Sequence, residues 1–173
     1  MNYHFQDLIP AHFAEDSRVW IYQSNRQFSI DETILVKELL ESFASSWLSH
    51  GARVSGFANL FFGQFLIFIA DETATGVSGC STDSSVRLVK NIEQDHCVQL
   101  FNRQNLAFIV NERIQVVPLD LLNSAIGTGM ISPETLYFNN TVLSLKDLKN
   151  DWIIPARQSW LANKFPLLNS VGV

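Results

Sequence analysis

The sequence predicts an α+β fold. Apolar residues alternate in several short segments, recur at helical spacing in two longer segments, and form two neighbouring strand-like runs with only a two-residue turn between them. The resulting order is strand, helix, strand, strand, helix, strand, which is the split βαβ pattern of ferredoxin-like proteins. We therefore predict a ferredoxin-like core followed by a C-terminal hairpin and a helical extension, in a single domain over residues 1–173.

The first strand and the first helix are predicted before residue 52. Arg18–Gln23 carries apolar side chains in alternation, which is typical of a β-strand. Ser29 and Glu32 have the spacing of a capping box and mark the start of a helix that we expect to end at Gly51. The apolar residues at helical spacing in this segment are Ile34, Val36, Leu39, Leu40, Phe43, Trp47 and Leu48.

The second and third strands are predicted over Arg53–Phe61 and Gln64–Ala70, with a tight turn at residues 62 and 63. Apolar residues at three-residue steps then predict an amphipathic helix from Thr82 to Asp95. We expect Cys97–Phe101 to be the fourth strand, which would complete the core.

A second hairpin is predicted farther along the chain. Its strands are Leu106–Val110 and Arg113–Val117, with a turn at residues 111 and 112, and we expect it to extend the same sheet. The remaining predicted elements are a helix from Pro118 to Gly127, a strand over Thr135–Asn139, and helices that begin after Ser144 and at Pro155.

Composition and charge exclude several classes of protein. The net charge is −5 and the basic residues are scattered, whereas a nucleic-acid-binding surface needs clustered Lys and Arg. We expect no membrane span, because polar residues interrupt the longest apolar run, and Met1–Pro10 lacks the basic region of a signal peptide. The two cysteines, Cys80 and Cys97, are too few for a disulfide framework, so we expect a reducing, cytoplasmic setting.

The loop between the third strand and the second helix carries a candidate catalytic group. In a split βαβ core, this loop and the end of the first helix lie at one edge of the sheet, which would bring together Cys80, His50 and Asp71. A thiol just before a helix N-terminus can have a lowered pKa, a His can deprotonate it, and a carboxylate can orient the ring. The alternative is structural: a small buried Cys80, a His50 beside helix carbonyls and an Asp71 that ends a strand in water.

Two places are candidate ligand-binding sites. Gly79, Ser81 and Asp83 surround the start of the second helix, where backbone amides can bind an anion. The structural alternative is that these residues form a tight turn and a helix cap.

The second candidate site lies at the opposite edge of the predicted core. Asn25 and Arg26 precede the first helix, and the topology brings His96, at the end of the second helix, to the same place. Arg26 is suited to bind a carboxylate or a phosphate, and the structural alternative is a solvated turn. The dispersed His and Cys residues predict no metal site, and the sequence indicates no cofactor.

Three segments of the chain carry a resemblance to a known family. They are VWIYQSNR at residues 19–26, SGCSTD at residues 78–83 and FNNT at residues 138–141. With their spacing, which covers most of the chain, these segments resemble a family of small bacterial proteins with no assigned biochemical role. Members look like single-domain proteins and are often labelled ABC transporter ATPases. Such an ATPase needs a Walker A loop and an ABC signature, but no glycine here is followed by Lys, so the resemblance carries over no catalytic residue.

Two classes of function fit these observations. The first is a non-catalytic module that binds a small ligand or a protein, or has a regulatory role, and the second is a thiol-dependent enzyme that uses Cys80 with His50 and Asp71. We predict the first class, and a homodimer held together by an apolar strand surface is a third expectation. Hydrophobic residues make up 47% of the chain, which predicts a large core or an apolar patch exposed for a partner, with Trp20 and Tyr22 as candidate surface residues.

Overall fold

The computed structural model describes residues 3–73 and 79–165, except for the side chains of Cys80 and Ser81. The chain divides into two compact units. Among the described residues, the first unit contains residues 3–102 and 140–151, and the second contains residues 103–139 and 152–165. The chain therefore passes between the units more than once.

Helices and antiparallel strands make up both units, which confirms the predicted α+β class. The helices are α1 (Ile30–Ser46), α2 (Gly79–Asp95), α3 (Leu122–Gly127) and α4 (Leu145–Asp151). The strands are β1 (Arg18–Gln23), β2 (Leu48–Ser49), β3 (Ala52–Arg53), β4 (Ser55–Phe61), β5 (Phe65–Asp71), β6 (Asn105–Val110), β7 (Arg113–Pro118), β8 (Leu136–Phe138) and β9 (Ile153–Pro155).

A three-stranded antiparallel sheet in the order β1-β5-β4 forms the centre of the first unit. The predicted fourth strand is wrong, because Cys97–Phe101 is not assigned to a strand. Cys97 has a φ of 50°, and the backbone of the segment forms hydrogen bonds with Asn25, beyond the end of β1. There Asn25 N–H donates to the Gln99 carbonyl, and Gln99 N–H donates to the side-chain oxygen of Asn25. In a β-ladder the second acceptor would be a backbone carbonyl, but here the Asn25 side chain takes its place.

Helix α1 begins as the capping box predicts. Ser29 Oγ accepts a hydrogen bond from Glu32 N–H at 3.2 Å, and Glu32 Oε2 accepts one from Ser29 N–H at 2.7 Å. The predicted end is wrong, because the helix stops at Ser46 and Trp47 has an extended backbone. The region expected to finish the helix instead forms the hairpin of β2 and β3.

Both faces of the central strand β5 are covered, and residues 65–70 are all buried. On one face α1 and α2 pack against the sheet through Val36, Leu40, Val89 and Ile92. The N-terminal segment contacts the other face, where the rings of Phe5 and Phe61 lie 6.3 Å apart and those of Phe13 and Phe57 lie 6.4 Å apart. These contacts make the N-terminal segment part of the folded unit.

Trp20 and Tyr22 do not form the exposed surface that the sequence suggests. Both side chains are partly buried against the helical core, with the Trp20 ring 6.1 Å from Trp47 and the Tyr22 ring 5.8 Å from Phe68. Trp47 also lies so close to β4 that a Cβ at Gly56 would be 2.6 Å from its ring. Glycine is therefore needed at this position to let the indole pack.

The second unit has its own four-stranded antiparallel sheet, in the order β7-β6-β8-β9. The predicted hairpin is confirmed, and its turn residues Asn111 and Glu112 both have positive φ, as a two-residue type I′ turn requires. The expectation that this hairpin extends the first sheet is wrong, because β6 pairs with β7 on one side and β8 on the other. Trp152 is fully buried, with its ring 5.4 Å from that of Phe138.

The remaining predicted elements are present, with one change of type. Helix α4 belongs to the first unit and follows Ser144, whose Oγ accepts a hydrogen bond from Asp147 N–H at 3.1 Å. The helix predicted from Pro155 is instead a pair of 3-10 turns, Ala156–Gln158 and Trp160–Lys164, which follow the short strand β9.

Candidate functional site

The start of α1 is fixed by an ion pair between Arg26 and Glu32. Arg26 Nη1 and Nη2 each donate to one carboxylate oxygen of Glu32, both at 2.8 Å. The same guanidinium donates to the backbone carbonyls of Gln27 at 3.1 Å and His96 at 2.7 Å. Because Arg26 comes before α1 and His96 follows α2, this side chain links the beginning of one helix to the end of the other.

His96 completes this cluster. Its Nδ1 lies 3.6 Å from Glu32 Oε1, and its ring meets the Phe28 ring edge to face at 5.6 Å between centroids. Only 11% of the His96 side chain is exposed. The topology predicted that Arg26 and His96 share one edge of the core, and the structure brings them together there.

The ion pair shifts the protonation of both partners. The hydrogen bond from Arg26, followed by that from the Ser29 backbone, lowers the pKa of Glu32 from 4.5 to about 2. The hydrogen bond to Glu32 raises the pKa of Arg26 above its ordinary value. At neutral pH the pair is therefore fully charged, and its hydrogen bonds connect parts of the chain to one another.

This geometry bears on the ligand-binding roles considered for Asn25 and Arg26. Both terminal nitrogens of Arg26 already donate within the chain, and the backbone N–H and side-chain oxygen of Asn25 bond to Gln99. An anion would have to displace a bidentate carboxylate to take the Arg26 guanidinium. The arrangement therefore favours a structural clamp at this edge, and anion binding by these two residues stays a prediction.

At the other edge of the sheet, Asp71 closes a turn. Hydrogen bonds from the hydroxyl and backbone N–H of Thr73 hold the pKa of Asp71 below its ordinary value, with smaller effects from the Ala14 amide and from His12. Among the described residues no hydrogen bond or ion pair joins Asp71 to His50. The carboxylate thus connects the end of β5 to the N-terminal segment.

His50 has a different setting from the one that the sequence suggests. With Gly51 it forms the two-residue turn between β2 and β3, where both residues have positive φ and His50 is exposed. It does not end α1, so the interpretation of His50 beside helix C-terminal carbonyls is wrong. A His side chain at φ 50° is uncommon but tolerated in such a turn.

The start of α2 is described only in part. Gly79 is the first residue of the helix, three residues earlier than predicted, and Asp83 is exposed in its second turn. The side chains of Cys80 and Ser81 lie outside the described residues, as do residues 74–78. The combination of Cys80 with His50 and Asp71, and anion binding at Gly79, Ser81 and Asp83, therefore stay predictions.

Two further findings limit the chemistry of the described part. Within residues 3–73 and 79–165, no group of three or more His, Cys, Asp or Glu side chains is arranged to hold a metal ion. In the same part of the chain, no helix combines the length and apolar character that crossing a membrane requires.

One surface was missed by the sequence analysis, and it lies on α1. Ile30, Ile34, Leu35 and Leu39 expose 83%, 53%, 54% and 43% of their surface, respectively. Together with two carboxylates, Asp31 and Glu38, they form what we call the exposed face of α1. The structure buries the row of Val36 and Leu40, and the four exposed side chains fall on other rows. The signal in the sequence was that apolar residues occupy more rows of this helix than one buried face needs.

The two carboxylates lie in the middle of this face. Asp31 is three residues from Ile34 and four from Leu35, and Glu38 is four residues from Ile34 and three from Leu35, so all four side chains are neighbours on the helix surface. Both carboxylates are exposed, and neither has an ion-pair partner among the described residues. The face is thus apolar on both sides of an acidic centre.

Comparison with known proteins adds no relative. No protein family model, no curated protein and no solved structure matches this chain. The resemblance to small bacterial proteins stays a prediction, and function is argued from the geometry.

Proposed function

We propose that this chain is a non-catalytic, protein-binding module that uses the exposed face of α1. The supporting observation is the exposure of four large apolar side chains on one helix whose opposite side holds the buried residues Val36 and Leu40 in the core. Single exposed apolar residues are common on protein surfaces, but neighbouring ones on one element are typical of interaction sites. Amphipathic helices and helix faces are frequent recognition elements.

Two of the candidate catalytic and ligand-binding groups support a non-catalytic role, because their side chains already form hydrogen bonds within the chain. Arg26 and Asp71 are each engaged within the chain, the first with Glu32 and the second with Thr73. The alternative function is a thiol-dependent enzyme that uses Cys80. In the described residues Asp71 does not hydrogen-bond to His50, so the carboxylate does not orient the imidazole that this enzyme would use as a base. Alkylation of Cys80 by iodoacetamide against pH, in a Cys97→Ala background, tests this alternative directly.

The proposal is tested by finding a partner through α1 and then measuring its affinity. A photoreactive amino acid in place of Ile34 should crosslink to a discrete protein, whereas one in place of Lys90 on α2 should not. The purified partner should bind Ile34→Ser/Leu35→Ser at least about tenfold more weakly than the wild type, a loss of about 1.4 kcal/mol. Lys90→Ser/Asp95→Ser changes two exposed charged residues of α2 and is the matched control. Equal binding by both double variants would contradict the proposal.

We also propose a ferredoxin-like core for the first unit. The order β1-β5-β4 and the packing of α1 and α2 on one sheet face support it. An experimental structure in which Cys97–Phe101 lies away from β1 would contradict it.

We further propose that the two units form a single domain, because the chain passes between them more than once. Calorimetry should give one unfolding transition, and two separate transitions would contradict this.

The exposed free thiol of Cys97 supports a reducing, cytoplasmic location, which localisation of a tagged chain would test.

A further inference from the structure

We infer that the partner of α1 is a basic, amphipathic segment of another protein. The inference rests on the proposed function and goes further, because it assigns the chemistry of the partner. It depends on the pattern of charge on the exposed face of α1 and on the rows of apolar side chains that flank it.

The charge of this surface is acidic where it is not apolar. The exposed charged residues of α1 are Asp31, Lys37, Glu38 and Glu41, three acids and one base, and none has an ion-pair partner among the described residues. Asp31 and Glu38 lie between the row of Ile30 and Ile34 and the row of Leu35 and Leu39. A partner that covers the apolar rows must therefore cover the carboxylates as well.

Covering a carboxylate without a cation is unfavourable. Burying an unpaired charge costs more free energy than the surrounding apolar contacts contribute. A Lys or Arg opposite the carboxylate offsets this cost with a charge-assisted hydrogen bond. Long basic side chains also cover apolar surface with their methylene groups. The partner should thus present Lys or Arg between apolar side chains, which is the pattern of a basic amphipathic helix.

A second copy of this chain fits the face poorly. A twofold axis through the centre of the face, between Ile34 and Leu35, would place Asp31 of one protomer opposite Glu38 of its partner, and the reverse. Like charges would then face each other in the middle of the interface. An anionic lipid surface is disfavoured for the same reason, because helices that bind such membranes carry Lys and Arg beside their apolar face.

The inference is tested with three synthetic helical peptides that share one row of leucines and differ only in the flanking residues, which are Lys, Gln or Glu. Binding is measured by fluorescence anisotropy. The Lys peptide should bind best, and its affinity should fall at high salt. Asp31→Asn/Glu38→Gln should weaken it about tenfold, whereas Asp16→Asn/Asp95→Asn, which removes the same charge from other exposed positions of the first unit, should change it less than about twofold.

The variant Ile34→Ser separates failure of the inference from failure of the proposed function. Circular dichroism should show an unchanged fold, because the residue is exposed. If all three peptides bind equally and Ile34→Ser weakens each of them, the surface is correct and the inference of a basic partner is wrong. If no peptide binds, the inference fails, and the crosslink at residue 34 decides the proposed function separately. If the peptides bind and Ile34→Ser changes no affinity, both the inference and the proposed role of α1 fail. Binding of anionic vesicles that competes with the Lys peptide would assign the face to lipid and overturn the inference.

Discussion

Replacing Glu32 by Gln tests whether its ion pair with Arg26 stabilises the start of α1. Gln has a similar shape and can still accept a hydrogen bond from Ser29 N–H, so the change removes mainly the charge. The pKa of Glu32 is about 2 instead of 4.5, which corresponds to at most about 3 kcal/mol of folding free energy. The Arg26 and Glu32 side chains are 42% and 23% exposed, so water screens the pair, and we expect a loss of about 1 to 2 kcal/mol at pH 7.

The sign of the pH dependence follows from the direction of this pKa shift. The pKa of Glu32 is lower in the folded chain than in the unfolded chain, so the folded state is stabilised fully above about pH 4.5. The stabilisation is lost as the pH falls from 4.5 toward 2. Wild type and Glu32→Gln should therefore converge on acidification, with less than about half of the difference left at pH 3.

The assay is urea unfolding followed by tryptophan fluorescence at both pH values. Glu41→Gln is the matched control, because it removes a charge from an exposed residue of the same helix that has no ion pair among the described residues. We expect this control to change the free energy of unfolding by less than about 0.5 kcal/mol. A loss for Glu32→Gln that equals the control, or that is the same at pH 3 and pH 7, would show that the charge of Glu32 does not stabilise the fold through Arg26.

Three other predictions concern packing and the thiol. Gly56→Ala forces the Trp47 ring to move, so thermal unfolding should show a loss of about 1 to 3 kcal/mol, whereas Gly127→Ala, which has open space around the added methyl, should show none. Trp152→Ala empties a fully buried site and should cost about 3 to 5 kcal/mol in urea unfolding; a loss below about 1 kcal/mol would contradict the packing. Cys80→Ser should leave the affinity for a purified partner unchanged, and a loss of binding would favour a functional thiol.

Local signals in the sequence predicted much of the fold. The Ser29 and Glu32 capping box gives the start of α1 because its two hydrogen bonds depend only on residues three apart. The hairpin turn at Asn111 and Glu112 is likewise a local feature. The predicted elements that are wrong are those whose conformation depends on contacts with residues far away in the sequence. Gln99 pairs with the side chain of Asn25, a contact that no pattern within residues 97–101 indicates.

The candidate sites show the same limit. Topology was enough to bring Arg26 and His96 to one edge, but it did not identify Glu32 as the carboxylate that occupies the Arg26 guanidinium. A capping-box Glu six residues after an Arg is a signal that could have suggested the pair. The exposed face of α1 was missed because apolar residues occur on several rows of the helix, and only tertiary packing decides which row is buried.

Protein binding through the exposed face of α1 is tested most directly by a methyl NMR titration of the chain with the partner obtained by crosslinking through α1. The largest shifts should occur at the methyl groups of Ile30, Ile34, Leu35 and Leu39. Shifts that instead concentrate near the edge of the sheet that holds His50 and Asp71, with the α1 methyl groups unchanged, would contradict it.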